Sequence, residues 1–333
     1  MRGGISRIVP RRDFIGIVGL GLVNLFGMGD KELLANSQPT APVSSREPYV
    51  RLGTSNESYD ILKELESKGR EQRRELIEDY LKSNGMDYFL HRYSVREQQS
   101  NGWNQGANIV IPPSGKDLEL IVGCHYDIVE GTPGADDNTS SVAVLLNFAR
   151  QFKDAKNLGV RYIFFDQEED GLIGSTAYSN QIPVGNAIGF YNLEGTGVGD
   201  SVLIWGAREG SRLIEPLVQQ TKEAGLESYS IRDAPIIFGA DHFPFSEKGV
   251  DALTFGLTYK SDIEAYYRLI EDAHRLTQDE FMKGIGKIVE NSDKYSHIHQ
   301  PTDRSANVDP DNLNRVGDIL YRTITAIDSG ISK

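Results

Sequence analysis

Cys124-His125-Tyr126-Asp127 ends an apolar run and sets an imidazole two residues from a carboxylate. Side chains on a strand alternate faces. His125 and Asp127 therefore point the same way if the strand persists that far, and Cys124 points oppositely. A metal-bound histidine usually gives its other ring N–H to a carboxylate or carbonyl, and Asp127 is placed for that task. The plain alternative is a histidine at a strand end beside a solvent-facing aspartate. Gly134-Ala135-Asp136-Asp137-Asn138 stands directly before an apolar helical run. One acid there can simply cap the helix. Two acids after a glycine-rich approach exceed a cap, and a carboxylate can bridge two metal ions about 3.5–4 Å apart.

Three further segments carry the same residue types. Glu168-Glu169-Asp170-Gly171-Leu172 follows the apolar run Tyr162-Ile163-Phe164-Phe165. Two adjacent carboxylates cannot easily reach one atom, so one can ligate a metal while its neighbour acts as general base. A solvated acidic loop is the alternative, since Asp166 and Asp170 flank the pair. Asn192-Leu193-Glu194-Gly195 ends another apolar run, and its glycine permits close approach of the chain to a ligand. In His297-Ile298-His299-Gln300-Pro301-Thr302-Asp303 one histidine can be a ligand and the other incidental; a polar surface loop is the alternative. Cys124 is the single cysteine, so neither a thiolate cluster nor an intramolecular disulfide is available. Imidazole and oxygen donors without thiols suit zinc, and also manganese or cobalt.

The elements that must position these segments alternate in type. Strand patterns cover 88–95, 107–111, 118–122, 160–165, 187–193, 202–205 and 251–257. Helical patterns cover 59–82, 142–152, 213–224, 262–291 and 310–328, and Asn84-Gly85 stops the first. Such alternation predicts a single α/β domain, three-layer α/β/α, with a mostly parallel mixed sheet covered on both faces. Long connections lie at 124–140, 166–176, 194–200 and 293–309, and several follow strands directly. In open α/β sheets the site lies beyond the carboxyl ends of the strands.

The 333 residues suffice for one large domain. A net charge of −13 disfavours nucleic acid and anionic membrane as partners. The sequence carries no sign of oligomeric state. Arg11-Arg12-Asp13-Phe14-Ile15 with an apolar run to Met28 resembles a twin-arginine export signal. The run is too short for a comfortable membrane span. Residues 1–36 are assigned to this signal, 37–50 to a Ser/Pro/Ala-rich linker and 51–330 to the catalytic domain. Export to the periplasm or exterior is expected, with no stable membrane insertion after cleavage; an uncleaved anchor is the alternative.

In order and spacing the segments resemble the two-zinc aminopeptidases typified by secreted bacterial leucyl aminopeptidases. The matching motifs are His125-Tyr126-Asp127, Gly134-Ala135-Asp136-Asp137-Asn138, Glu168-Glu169 through Gly174-Ser175, Asn192-Leu193-Glu194, Asp241-His242-Phe243-Pro244-Phe245 and His299-Gln300-Pro301-Thr302-Asp303. The resemblance covers about residues 60–328 and implies a zinc-exopeptidase fold of the phosphorylase/hydrolase-like kind. It implies two zinc ions held by His125, Asp137, Glu169, Glu194 and His299, with Asp137 bridging. Glu168 is implied as general base and Asp127 as the partner of His125. Asp136 and His297 are then bystanders, and Asp241-His242 lies near the substrate pocket. Glu194 stands where aspartate is frequent in the family. Ile298 stands where many members have tyrosine, and Tyr295 is close in sequence.

The implied activity is hydrolysis of a peptide or amino-acyl amide from its free N-terminus. Alternatives are a carboxypeptidase or deacylase of the same type, a glutaminyl cyclase of the same fold with a single zinc, and a non-catalytic binding member. Pocket residues are expected within 205–260, including Trp205, Phe238, Phe243, Phe255 and Tyr259.

Overall fold

Fully burying a Val, Leu, Ile or Phe side chain contributes about 1.5–3 kcal/mol. Strands that are apolar on both faces therefore have to be covered on both. A computed structural model describes residues 56–96, 103–231 and 239–331, and the signal and linker assignments lie outside these. Among the described residues, eight strands run in chain order: β1 (Phe89–Arg96), β2 (Trp103–Ile111), β3 (Leu118–His125), β4 (Leu158–Phe165), β5 (Ala187–Leu193), β6 (Ser201–Trp205), β7 (Glu227–Ile231) and β8 (Ala252–Thr258). They form one sheet in the order β1-β2-β4-β3-β5-β8-β6-β7. The four central strands, β4, β3, β5 and β8, are mutually parallel. β2 joins β4 antiparallel, as does β6 to β8.

The described helices are α1 (Glu57–Leu65), α2 (Arg70–Ser83), α3 (Ser141–Gln151), α4 (Ile173–Gln181), α5 (Ile214–Glu223), α6 (His242–Glu247), α7 (Lys260–Asp272), α8 (Gln278–Asn291) and α9 (Pro310–Ile331). Leu120, Val122 and Cys124 of β3 pack in one core with residues of α1, α2, α3, α5 and α9. Ile121, between them, packs in a second core with Tyr178 of α4 and Phe245 of α6. That alternation is the strand period expressed as two layers of helices. The three-layer, mixed-sheet architecture expected from the sequence is thus the one observed.

Two long helical patterns are each broken. The 59–82 pattern divides into α1 and α2 because Ser67 takes left-handed backbone (φ 61) and Gly69 begins the next helix. The 262–291 pattern divides because Thr277 and Glu280 form a capping box. Thr277 Oγ1 accepts from Glu280 N at 3.3 Å, and the Glu280 carboxylate accepts from Thr277 N at 2.8 Å. This signal stands in the sequence, where the apolar periodicity around it masks it. β7, α4 and α6 had no strong periodic signal: α6 has six residues, and α4 is rich in small and polar ones.

Arg73 of α2 is 1% exposed. It donates to the carbonyls of Lys68 (3.0 Å), Tyr126 (3.4 Å), Pro133 (2.9 Å) and Gly134 (3.3 Å). The loop leaving β3 is therefore fastened to the N-terminal helices. On the other side, the turn after β5 crosses directly over Gly256 of β8. An added Cβ there would lie 1.7 Å from Glu194 O. Gly256→Ala should destabilise the fold by about 1–3 kcal/mol, as overpacking does. Thermal unfolding checks this: an unchanged melting temperature would mean the two strands are less tightly apposed.

Candidate metal centre

β3, β4, β5 and β8 are parallel, so their carboxyl ends share one edge of the sheet. His125 is the last residue of β3. Glu168 and Glu169 follow β4, and Glu194 follows β5. Asp137 lies in the tight turn 135–140 between β3 and α3. His299 lies in the loop before α9, in left-handed backbone (φ 59).

Asp137 stands between the two histidines. Its Oδ1 is 3.3 Å from His125 Nε2 and its Oδ2 is 3.0 Å from His299 Nε2. Each histidine also meets a glutamate: His125 Nε2 lies 3.0 Å from Glu194 Oε1, and His299 Nε2 lies 3.1 Å from Glu169 Oε1. Two triads result, His125–Asp137–Glu194 and Asp137–Glu169–His299, each with its donor atoms within 4.8 Å of one another. His125, Glu168 and Glu169 make a third such group. Donors about 2.0–2.2 Å from one tetrahedral zinc stand about 3.3–3.6 Å apart. The histidine–carboxylate separations in the first two triads, 3.0–3.3 Å, are close to that, so the residues fit a metal.

Charge leads to the same conclusion. Burial pushes the Asp137 carboxyl up, but the two histidines outweigh it and hold the group well below the usual carboxylate range. Burial opposes charge on His299, yet Asp137 and Glu169 carry it up to about 11. Burial likewise opposes charge on His125, and Glu194, Asp127 and Asp137 hold it well above its ordinary value. Burial and the charge of Asp137 push Glu169 up to about 7. Glu168 and Glu194 are raised too, first by burial. The acidic cluster draws protons onto its histidines. A divalent cation there would supply that charge and leave the rings neutral, as ligation requires.

The supporting contacts are specific. Asp127 is 3.4 Å from His125 Nδ1, and its two oxygens accept the backbone N–H groups of Glu168 (3.0 Å) and Glu169 (3.1 Å). Asp303 does the same for Asp136 (2.8 Å) and Asp137 (3.1 Å). Asn138 accepts from Gly195 N at 3.1 Å and donates to Leu193 O at 3.0 Å, tying the β5 turn to the Asp137 turn.

All five residues expected as ligands are brought together, and Glu168 lines the same cavity. Asp136 points elsewhere, to Lys294 at 3.0 Å and Gly197 N at 2.8 Å. His297 bonds Thr302. Asp241 is fully buried, and burial pushes it up to about 7. Asp303 was visible in its motif without a role. Lys294 and Arg73 were missed, because a lysine in a polar loop and an arginine in a charged helix look like solvated surface.

The cavity over the cluster is walled by Leu203, Trp205, Leu257, Tyr295 and Ile298. Of the aromatics expected there, Trp205 is present, whereas Phe255 points into the core between sheet and helices. Phe243 and Tyr259 are not among the lining residues, and Phe238 lies outside the described residues. The expected range 205–260 is corrected: Leu203 precedes it, and the loop before α9 supplies Tyr295 and Ile298.

Residues 108–324 match the family described as Peptidase family M28. Among characterised proteins, the chain is similar to aminopeptidase YwaD of Bacillus subtilis, 29% identical over an alignment of 190 residues that covers 51% of this chain and 39% of that protein. It is also similar to endoplasmic reticulum metallopeptidase 1 of Rattus norvegicus, 30% identical over 136 residues, covering 35% of this chain and 15% of that protein. The chain thus spans well under two thirds of these relatives. Among solved structures, glutaminyl cyclase of Porphyromonas gingivalis superposes with a TM-score of 0.62 at 16% identity, covering 83% of this chain and 99% of that one. BSAP, a zinc aminopeptidase from Bacillus subtilis, gives 0.51 at 22% identity, covering 68% and 51%. At these identities the structures show a shared fold.

Asp127→Asn removes the charge beside His125 and replaces one of two backbone acceptors by an amide donor. Zinc affinity should fall about 10–100-fold, read by competition with a chelator. Unaltered affinity would mean that Asp127 orients nothing at the centre.

Proposed function

The chain belongs to peptidase family M28, and from that premise we propose that it is a zinc-dependent aminopeptidase with two ions at its centre. One observation carries this reading: Asp137 turns its two oxygens to two histidines, each backed by its own glutamate. A single-ion site has no need of that symmetry. His125 and Glu194 would hold one zinc, Glu169 and His299 the other, and Asp137 both. Zinc in such a site lowers the pKa of water toward neutrality and polarises a carbonyl.

Glu168 would serve as general base. It takes a proton from the attacking water as the water oxygen bonds to the scissile carbonyl carbon. It then returns that proton to the leaving nitrogen as the C–N bond breaks. Asp127 fixes the Glu168–Glu169 backbone through its two accepted N–H groups. A free substrate amine meets a cavity lined by Asp137, Glu168, Glu169 and Glu194, where a neutral acylated N-terminus gains nothing. Tyr295 and Ile298 both line the cavity. Trp205, Leu203, Leu257 and Ile298 favour an apolar first side chain.

Glutaminyl cyclisation is the second reading, favoured by a fold likeness that spans nearly the whole of a solved cyclase. We also propose export by the twin-arginine route and a catalytic domain over 51–330. No described helix is long and apolar enough to cross a membrane.

Peptides with free or acetylated N-termini, one beginning with glutamine, should be incubated with the zinc-loaded chain and the products weighed. Stepwise loss of N-terminal residues from the free peptides alone is expected. Ammonia release from the glutamine peptide without trimming would replace the aminopeptidase by a cyclase, and C-terminal trimming would replace it by a carboxypeptidase. Glu168→Gln should keep its zinc and lose about 10²–10⁴-fold in turnover. Full turnover in that variant would remove the base assignment.

A further inference from the structure

The loop that carries His299 grips the Asp136–Asp137 turn at both ends. At one end Asp303 accepts two backbone N–H groups, as described above. At the other, Lys294 reaches the Asp136 side chain, its Nζ 3.0 Å from Asp136 Oδ2. The same ammonium donates to Gly195 O at 2.7 Å and to Leu257 O. Both members of the ion pair are buried, their side chains 4% and 3% exposed.

An ammonium group has three donors, and here it donates to two carbonyls and pairs with the Asp136 carboxylate. The acceptors belong to three segments: the turn holding Asp137, the turn holding Glu194, and the end of β8. Gly195 has left-handed backbone (φ 61), and a Cβ there would lie 2.5 Å from Lys294 Nζ, so the turn closes down on the ammonium. The second oxygen of Asp136 accepts from Gly197 N at 2.8 Å, which locks the two turns together. His299 itself sits in backbone that non-glycine residues adopt rarely and that persists only where the surroundings impose it.

We propose that Lys294 is a positioning residue of the metal centre, its buried ammonium cross-linking the Asp137 turn, the Glu194 turn and β8 to the loop that carries His299. Lys294 lines the cavity, and its ammonium is engaged by Asp136 and two carbonyls. It acts on the separation of the two triads, not on the reacting atoms. The inference rests on the metallopeptidase reading above.

The test is cobalt(II) binding, followed by its visible absorption and by competition with a chelator, in the wild-type chain, K294M and K294M/D136N. K294M should bind cobalt about 10–100-fold more weakly, with a changed spectrum. The double variant buries no unpaired carboxylate. It should regain thermal stability but not the wild-type spectrum, and it decides the matter if K294M does not fold. A lysine of merely structural importance would lower the melting temperature only. Wild-type affinity and spectrum in the folded variants would overturn the proposal. A wild-type chain that bound neither cobalt nor zinc would remove the metallopeptidase reading and this inference with it, a result distinct from unchanged variants of a metal-binding parent.

Discussion

Buried negative charge at one edge of the sheet is the constraint on which this structure turns. Asp137, Glu168, Glu169 and Glu194 converge there, with Asp127, Asp136, Asp241 and Asp303 buried close behind. Isolated carboxylates cannot be taken out of water without a large penalty. Each must therefore find a proton, a cation or a set of N–H donors. Asp127 and Asp303 take paired backbone N–H groups, Asp136 takes Lys294, and Asp137 takes two imidazoles. What is left over is a cluster whose charge balance calls for a cation.

The scaffold answers with two buried cations outside the cluster. Arg73 gathers the carbonyls of the loop leaving β3, and Lys294 gathers those of the β5 turn and β8. Removing either would strand polar groups in a low-dielectric interior, where unpaired groups are costly. The polar contacts between turns 135–140 and 193–197 complete the frame: Asn138 bridges Leu193 O and Gly195 N, and Ser140 Oγ accepts from Thr196 N at 2.9 Å. The segments that carry the donor atoms are thereby tied to one another through backbone groups.

The apolar side of the cavity has a different origin. Tyr295 packs against Tyr266 of α7 with ring centroids 5.8 Å apart, and with Phe281 and Ile285 of α8 forms a small separate core. Leu203 shares another with Ile263 of α7, and Trp205 packs against it. The apolar wall is thus made by residues of β6, β8 and the loop before α9, and α7 and α8 back it from behind.

The sequence by itself determined the architecture and the donors. Apolar runs of strand length separated by amphipathic helices can bury their surface only as a sheet covered on both faces. Parallel strands bring their carboxyl ends to one edge, so His125, Glu168, Glu169 and Glu194 had to meet. The choice of Asp137 over Asp136, and of His299 over His297, came from a resemblance, since neighbours in a loop look alike in one dimension. Tertiary structure supplies the physical difference: Asp136 is claimed by Lys294, 158 residues away in the chain, and His297 by Thr302. The same holds for Arg73, Lys294 and the apolar wall of the cavity. Their roles depend on which carbonyls, rings and carboxylates the fold brings within about 3 Å of a donor, and no local pattern encodes a partner that distant.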